Sequence, residues 1–310
     1  MARAFDLLVL GDAKPDLIVS ADRLPEFEEG ERLVQRSVLM LGGSGGIAAC
    51  GAATLGLDVA FAGIVGDDAF GRFVVESLDA HGVDTTGVVV DPERTTGLSI
   101  VVKRDEAEAV MTDVGTIAAL DESHVDRAVL SSSRHVHVSS LYLQGSLRPD
   151  LRELFDRAHQ AGASTSVDPN RDPTGNWNGG LFDLLSETDM LFANSIEIRA
   201  ITGVDDVDVA AEALAEHGTV VAVKFGQGGG LAMWGDQVVR SEAIPIDVVD
   251  TTGAGATFAA GFIAGRLRGW SLDRCLALAV ACASLSGRAL GGTAAQPTME
   301  EAIGALEQTA

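Results

Sequence analysis

Val248-Val249-Asp250-Thr251-Thr252-Gly253-Ala254-Gly255-Ala256-Thr257-Phe258 is the stretch on which the reading of the fold turns. A β-branched run carrying an acid enters a tight turn built on two glycines, and small and apolar residues follow through Ala259, Gly261, Phe262, Ala264 and Gly265. This pattern predicts a strand, a glycine turn and the N-terminus of a helix. Backbone N–H groups at such a terminus converge and favour negative charge there. The physical reading is an anion hole for a phosphoryl group; the plain alternative is a packing turn.

Outward from this stretch, strand and helix patterns alternate along the chain. Phe5–Gly11, Val59–Gly66, His135–Ser140, Ser164–Asp168, Met190–Asn194 and Val220–Lys224 read as strands. Helical patterns run from about 44 to Leu57, from Asp67 to His81, over 121–135, from Pro149 to Ala161 and over Leu276–Leu290. Two further pieces, Ala232–Gly235 and Val238–Arg240, read as a hairpin. Such alternation predicts an α/β fold with a doubly wound, mostly parallel sheet flanked by helices. Ligands in such folds bind beyond the carboxyl ends of the strands. No G-x-x-x-x-G-K-[ST] loop is present, and Gly11-Asp-Ala-Lys-Pro does not supply the G-x-G-x-x-G of a dinucleotide site.

Composition narrows the function classes. With 310 residues the chain can form one large domain, and 22 basic against 45 acidic residues leave a net charge of −23. That surface repels nucleic acid and anionic membranes, so neither is expected as a partner. Cys50, Cys275 and Cys282 lie in small-residue apolar contexts without C-x-x-C spacing, which predicts buried free thiols in a reducing cytoplasm. Met-Ala-Arg-Ala-Phe-Asp runs straight into a strand pattern with no signal peptide, again pointing to the cytoplasm. His135 and His137 share one strand face, where hydrogen-bonded burial is expected ahead of metal binding.

Asp250-Thr-Thr-Gly-Ala-Gly resembles the D-T-T-G-A-G-D signature of the ribokinase-like (pfkB-type) carbohydrate kinases. Weaker motifs follow the family's order over nearly the whole length. Asp12-Ala-Lys-Pro-Asp16 is similar to the opening G-x-x-N-x-D element, and Leu41-Gly42-Gly43-Ser-Gly-Gly-Ile47 to its G-G-x-x-x-N sugar turn. Gly66-x-Asp68-x-x-Gly71 reads as a helix N-cap with close packing. Asp168-Pro-Asn170 resembles the family's D-P-N strand end, and Asn194-Ser-Ile-Glu197 its N-x-x-E motif. Read without the family, Asn194 and Glu197 form an N-cap and its capping box.

The resemblance implies a ribokinase-like α/β domain over 1–310, with segments at about 12–41 and 95–114 forming a small β lid whose hairpin turns at Asp105 and Glu106. It implies transfer of the γ-phosphoryl group of ATP to a hydroxymethyl group of a sugar-like substrate, with Mg²⁺ and with K⁺ as a further ion. The substrate-binding residues would be Asp12, Lys14, Asp16, Gly42, Gly43, Ile47, Gln144 and Asn170. The nucleotide side would hold Asn194, Lys224, Gly226 and Gly229, with Glu197 reaching Mg²⁺ through water. Asp250 and Thr252 would enclose a monovalent cation, and a homodimer would form through the lid.

Three positions depart from the family pattern. Lys14 stands where Asn is usual, which would suit an acidic ligand or else fill the site, and Ile47 stands at a second Asn position. At Ala256 the family has the aspartate that takes the proton from the acceptor hydroxyl, so beside Gly253, Ala254 and Gly255 the catalytic turn lacks its base. A nearly inactive, ligand-binding chain is expected, and a deliberate Asp→Ala truncation is favoured over natural degeneration. A nucleoside kinase of the same superfamily and a non-catalytic sugar- or nucleotide-binding protein are the alternatives.

Overall fold

The computed structural model describes residues 4–309 except 25, 29, 105, 106 and 178. Its strands are β1 (Phe5–Leu10), β2 (Lys14–Ser20), β3 (Arg36–Gly42), β4 (Val59–Gly66), β5 (Asp84–Asp91), β6 (Leu98–Arg104), β7 (Ala107–Asp113), β8 (Ser133–Ser139), β9 (Ser164–Asp168), β10 (Met190–Asn194), β11 (Val220–Lys224), β12 (Gly230–Trp234) and β13 (Gln237–Ser241). The helices are α1 (Ser44–Thr54), α2 (Ala69–Ala80), α3 (Arg127–Ser132), α4 (Leu151–Gln160), α5 (Leu181–Leu185), α6 (Ser195–Thr202), α7 (Val207–Ala215), α8 (Ala254–Leu267), α9 (Leu272–Ser286) and α10 (Met299–Thr309).

The large sheet has the order β13-β12-β11-β10-β9-β8-β1-β4-β5. Pairing is parallel from β11 to β5, and β12 and β13 add an antiparallel edge. The chain winds outward from β1 through β4 to β5 and then returns to place β8 against the other side of β1. The strand order therefore reverses between β1 and β8, where α/β sheets open their ligand crevice.

Side chains alternate between two cores, as a strand period of two requires. Leu7, Val9, Phe61 and Phe192 face the layer of α1, α8 and α9, whereas Leu8, Leu10, Val136 and Val138 face that of α4, α6 and α7. The small residues of α8 permit an unusually close approach to α9. A Cβ on Gly261 would lie 3.0 Å from the Cα of Ala279, and one on Gly265 3.0 Å from the Sγ of Cys275. The three cysteines are free and buried, as expected. Burial pushes the Cys50 and Cys282 thiols up to about 12.

A second, four-stranded sheet of order β3-β2-β6-β7 stands apart from the first. Its centre is a parallel β2–β6 pair, flanked by antiparallel β3 and β7. These strands fall within the two segments expected to form it; the Asp105–Glu106 turn lies outside the described residues.

Two expectations need correction. No strand precedes the turn at Gly253: residues 242–253 are irregular, and Val248 and Val249 are 47% and 60% exposed. The β12–β13 hairpin extends the sheet beyond β11, and this segment adds no further strand to it. Its Val249 and Asp250 N–H groups donate to the Gly287 carbonyl at the end of α9 instead. Nor do residues 121–135 form one helix. Asp121 caps a short 3₁₀ turn and Asp126 caps α3, and two caps so close together break the segment.

Candidate active site

Asp12 follows β1 in the link to β2, and Lys14 and Asp16 open β2; all three are buried. The Lys14 ammonium lies 3.5 Å from Asp12 Oδ2 and 3.8 Å from Asp16 Oδ1. Lys14 therefore fills the site between two acids. Its charge is already compensated, which removes the reason to expect an acidic ligand there. Asp16 Oδ1 is buried without a hydrogen-bond donor. Burial lifts the Asp16 carboxyl above its ordinary value, Lys14 pulls it back, and Asp12 adds to the rise. A buried acceptor left unmade is costly, and a ligand hydroxyl would satisfy it.

The glycine turn before α1 wraps this cluster. A side chain at Gly42 would collide with the Asp16 carboxylate, and a Cβ at Gly43, where φ is +82°, would lie 2.7 Å from the Asp12 carbonyl. The first residues of α1 close on Asp12: the Gly45 N–H donates to its Oδ1 at 3.3 Å and the Gly46 N–H to its carbonyl at 2.9 Å. Asn170, in the left-handed region at φ +56°, donates from Nδ2 to the hydroxyls of Ser44 and Ser140. The structure thus brings Asp12, Lys14, Asp16, Gly42 and Gly43 together and anchors Asn170 on the adjoining α1 turn. Gln144 is fully buried one turn past β8, with both amide atoms unpartnered and no hydrogen bond to the acidic cluster.

α8 begins at Gly253, whose φ of +76° is left-handed and which supplies no side-chain cap to the first turn. The leading N–H groups of a helix have no intrahelical partners; that of Ala254 donates back to the Thr251 carbonyl at 3.2 Å, so the donor surface of this turn lies at Gly255 and Ala256. The turn has two aspects. Gly253 and Ala256 face α1: a Cβ on Gly253 would lie 3.0 Å from the Ile47 side chain, and Ile47, Ala48 and Ala256 form a small apolar cluster. Ala254 and Gly255 instead line a cavity of about 410 Å³.

That cavity runs from Lys224, Gly226 and Gly229 after β11 to Ile246, Val248 and Ala283. Its first wall was legible in the sequence. The second, from the irregular segment and α9, reads there as ordinary core and was missed. Its volume is in the range of small-molecule sites, about 300–1,000 Å³.

Lys224 Nζ donates to Asp168 Oδ2 at 2.7 Å, and a Cβ on Gly255 would lie 3.3 Å from that ammonium. Burial disfavours the Lys224 charge, but Asp168 and Glu197 outweigh it and raise the pKa above 10.5. The ammonium thus stays charged beside the helix turn. Asn194 and Glu197 form the expected capping box: Asn194 Oδ1 accepts from the Ile196 and Glu197 N–H groups, and the Asn194 N–H donates to Glu197 Oε2. Burial raises the Glu197 pKa, and Lys224 opposes the rise.

Asp250 and Thr252 do not present the expected cation cage. Asp250 Oδ1 accepts from the Thr252 N–H and hydroxyl and from the Lys103 ammonium, and Oδ2 accepts from the Gly291 N–H at 2.8 Å. The position expected to hold an ion is taken by a lysine of β6. Among the described residues no cluster of His, Cys, Asp and Glu could hold a metal. His135 and His137 are spent in a buried relay of hydrogen bonds through Ser164, Ser166 and Ser139. Burial lowers both, His137 to about 4, so both are neutral. No helix among the described residues is long and apolar enough to cross a membrane.

Comparison with known proteins bears on the family and the fold. An ATP-dependent ribose-1-phosphate kinase from Halopiger xanaduensis is 32% identical over 304 residues, covering 97% of this chain and 98% of that protein. The structure of Arabidopsis thaliana ribokinase complexed with ribose and ATP superposes with a TM-score of 0.83 at 26% identity, covering 99% of each chain. A candidate ribokinase II from E. coli, in complex with ATP and Mg²⁺, shares the fold at a TM-score of 0.87 and 22% identity, covering 99% of this chain and 100% of that one. The family model of the pfkB family carbohydrate kinases matches residues 4–299, and the chain belongs to that family.

Proposed function

We propose that this chain is the scaffold of an ATP-dependent kinase acting on a hydroxymethyl group of a sugar or sugar derivative, and that it turns over slowly because position 256 is alanine. The observation that carries the reading is the double aspect of the first turn of α8. Ala254 and Gly255 line the cavity, while Gly253 and Ala256 pack toward the turn that wraps Asp12 and Asp16. A phosphoryl group passing from nucleotide to acceptor would cross this turn.

In this reading the cavity takes the nucleotide, its apolar wall of Ile246, Val248 and Ala283 facing the base and Lys224 the phosphates. Lys224 and the N–H groups of Gly255 and Ala256 stabilise the charge on the transferring group. Mg²⁺, when bound, would supply positive charge that offsets the charge on the phosphates. Glu197 fits a place in its water shell, because only one of its oxygens is used in the capping box. Asp12 and Asp16 orient the acceptor through hydroxyl hydrogen bonds, the small sheet acts as a lid, and pairing of two lids would make a dimer. The compensated charge of Lys14 favours a neutral patch of sugar over an anionic group at that position. The common apolar cluster of Ile47, Ala48 and Ala256 favours joint replacement of positions 47 and 256 over a single truncation at 256.

A second reading, nucleoside phosphorylation, draws on the same apolar cluster of Ile47, Ala48 and Ala256, which could border a base. The test is to incubate the Ala256→Asp variant with ATP, Mg²⁺ and a panel of ribose, ribose 1-phosphate, fructose and adenosine, and to identify products by mass. A phosphorylated sugar supports the first reading and a nucleotide the second. Absence of any product from the panel sinks both and leaves a ligand-binding protein.

A further inference from the structure

We infer that Lys103 supplies, as a fixed part of the chain, the positive charge that a monovalent cation would otherwise bring to the turn before α8, so that this protein works without such an ion. The inference rests on the kinase reading, and it concerns the charge partner of Asp250.

Asp250 is buried, and its two oxygens are fully engaged by the Thr252 N–H at 2.9 Å, the Thr252 hydroxyl at 2.8 Å, the Gly291 N–H at 2.8 Å and the Lys103 ammonium. The same ammonium lies 3.3 Å from the Thr252 hydroxyl and 3.8 Å from Glu108 Oε2. Two carboxylates and a hydroxyl around one point are the oxygen ligands that an alkali cation would choose. Here they surround an ammonium of equal charge. An added ion would have to displace that group or lie against a like charge in a poorly solvated place, and both are unfavourable. The residues present therefore do not fit a bound cation.

The lysine also joins two parts of the molecule. It stands on β6 of the small sheet, where it pairs with Ser20 of β2 and Glu108 of β7, and it reaches an aspartate 147 residues later. Asp250 in turn holds Thr252, whose neighbour Gly253 begins α8. Lys103 is thus a positioning residue. It acts on the anion-binding turn through Asp250, and only while the small sheet is seated over the crevice.

The deciding experiment compares thermal unfolding midpoints in KCl, NH₄Cl and choline chloride at equal ionic strength, with ATP affinity measured by calorimetry in the same salts. The unaltered protein should give one midpoint and one affinity, within twofold, in all three. Lys103→Ala should unfold at lower temperature in choline chloride and recover in KCl or NH₄Cl, with ATP affinity following. Lys103→Arg should remain indifferent to the cation. If Lys103→Ala does not fold in choline chloride, its refolding yield in the other two salts reads the same effect. A potassium-dependent midpoint in the unaltered protein would overturn the inference. So would a Lys103→Ala protein that is equally weakened in all three salts, or unaffected in any. Failure of every form to bind ATP would count against the kinase reading, and the midpoints would still judge the lysine.

Discussion

Ile47 of α1 and Ala256 of α8 belong, with Ala48, to one small buried apolar cluster, and both positions are nearly inaccessible to solvent. The family pattern has an amide at the first position and a carboxylate at the second. Both polar groups are replaced by apolar ones that share this cluster, so the loss at 256 has a structural counterpart at 47.

Membership of one cluster should couple the two positions energetically. Ala256→Asp places a carboxylate against the Ile47 side chain, at a cost of about 1–3 kcal/mol for an unpartnered buried polar group. Adding Ile47→Asn supplies a donor and should return part of that cost, with a coupling energy of about 0.5–3 kcal/mol. Urea denaturation of both single variants and the double variant measures it. Simply additive losses would show that the two side chains do not meet.

Asp16 should leave a signature in the pH dependence of stability. Burial raises its folded pKa above the 3.8 of a free carboxyl, so the folded state holds the proton more tightly than the unfolded chain. The associated stability is present below the unfolded pKa and is lost as pH rises through the folded value. Asp16→Asn should therefore flatten the decline attributable to this group as pH rises above 3.8 in urea titrations. An unchanged slope would show that Lys14 cancels the effect of burial.

The cavity can be closed from its α9 wall. Ala283 is half-buried and lines it. Ala283→Phe grows into open space, so folding stability should change by less than about 1 kcal/mol. ATP affinity measured by calorimetry should fall by at least about tenfold, or roughly 1.4 kcal/mol. Undiminished binding would place the nucleotide elsewhere.

The parts of the site that were legible in the sequence are those where local chemistry has few alternatives. Gly253 and Gly43 are read correctly because left-handed turns at helix entries call for glycine, and Asn194 with Glu197 because a capping box is a spacing rule. Val248 and Val249 mislead because β-branched residues suggest a strand, while the segment spends its Val249 and Asp250 N–H groups on the Gly287 carbonyl at the end of α9. Ala283 and Ile246 on the cavity wall carry no local signal, since apolar residues beside a ligand are spaced like those beside another helix. The Lys103–Asp250 pair joins two segments that nothing in the chain's local pattern connects, and only the folded structure brings them together.

The central claim is that the scaffold is intact for phosphoryl transfer and lacks only its proton acceptor. General-base help is typically worth about 10²- to 10⁴-fold. The direct measurement is sugar-dependent ATP consumption by the unaltered chain and by Ala256→Asp, alone and with Ile47→Asn, under saturating nucleotide and Mg²⁺. The account predicts a rise of at least about 10²-fold on restoring the carboxylate. A revertant that folds, binds ATP and consumes it no faster than the chain with Ala256 would contradict it.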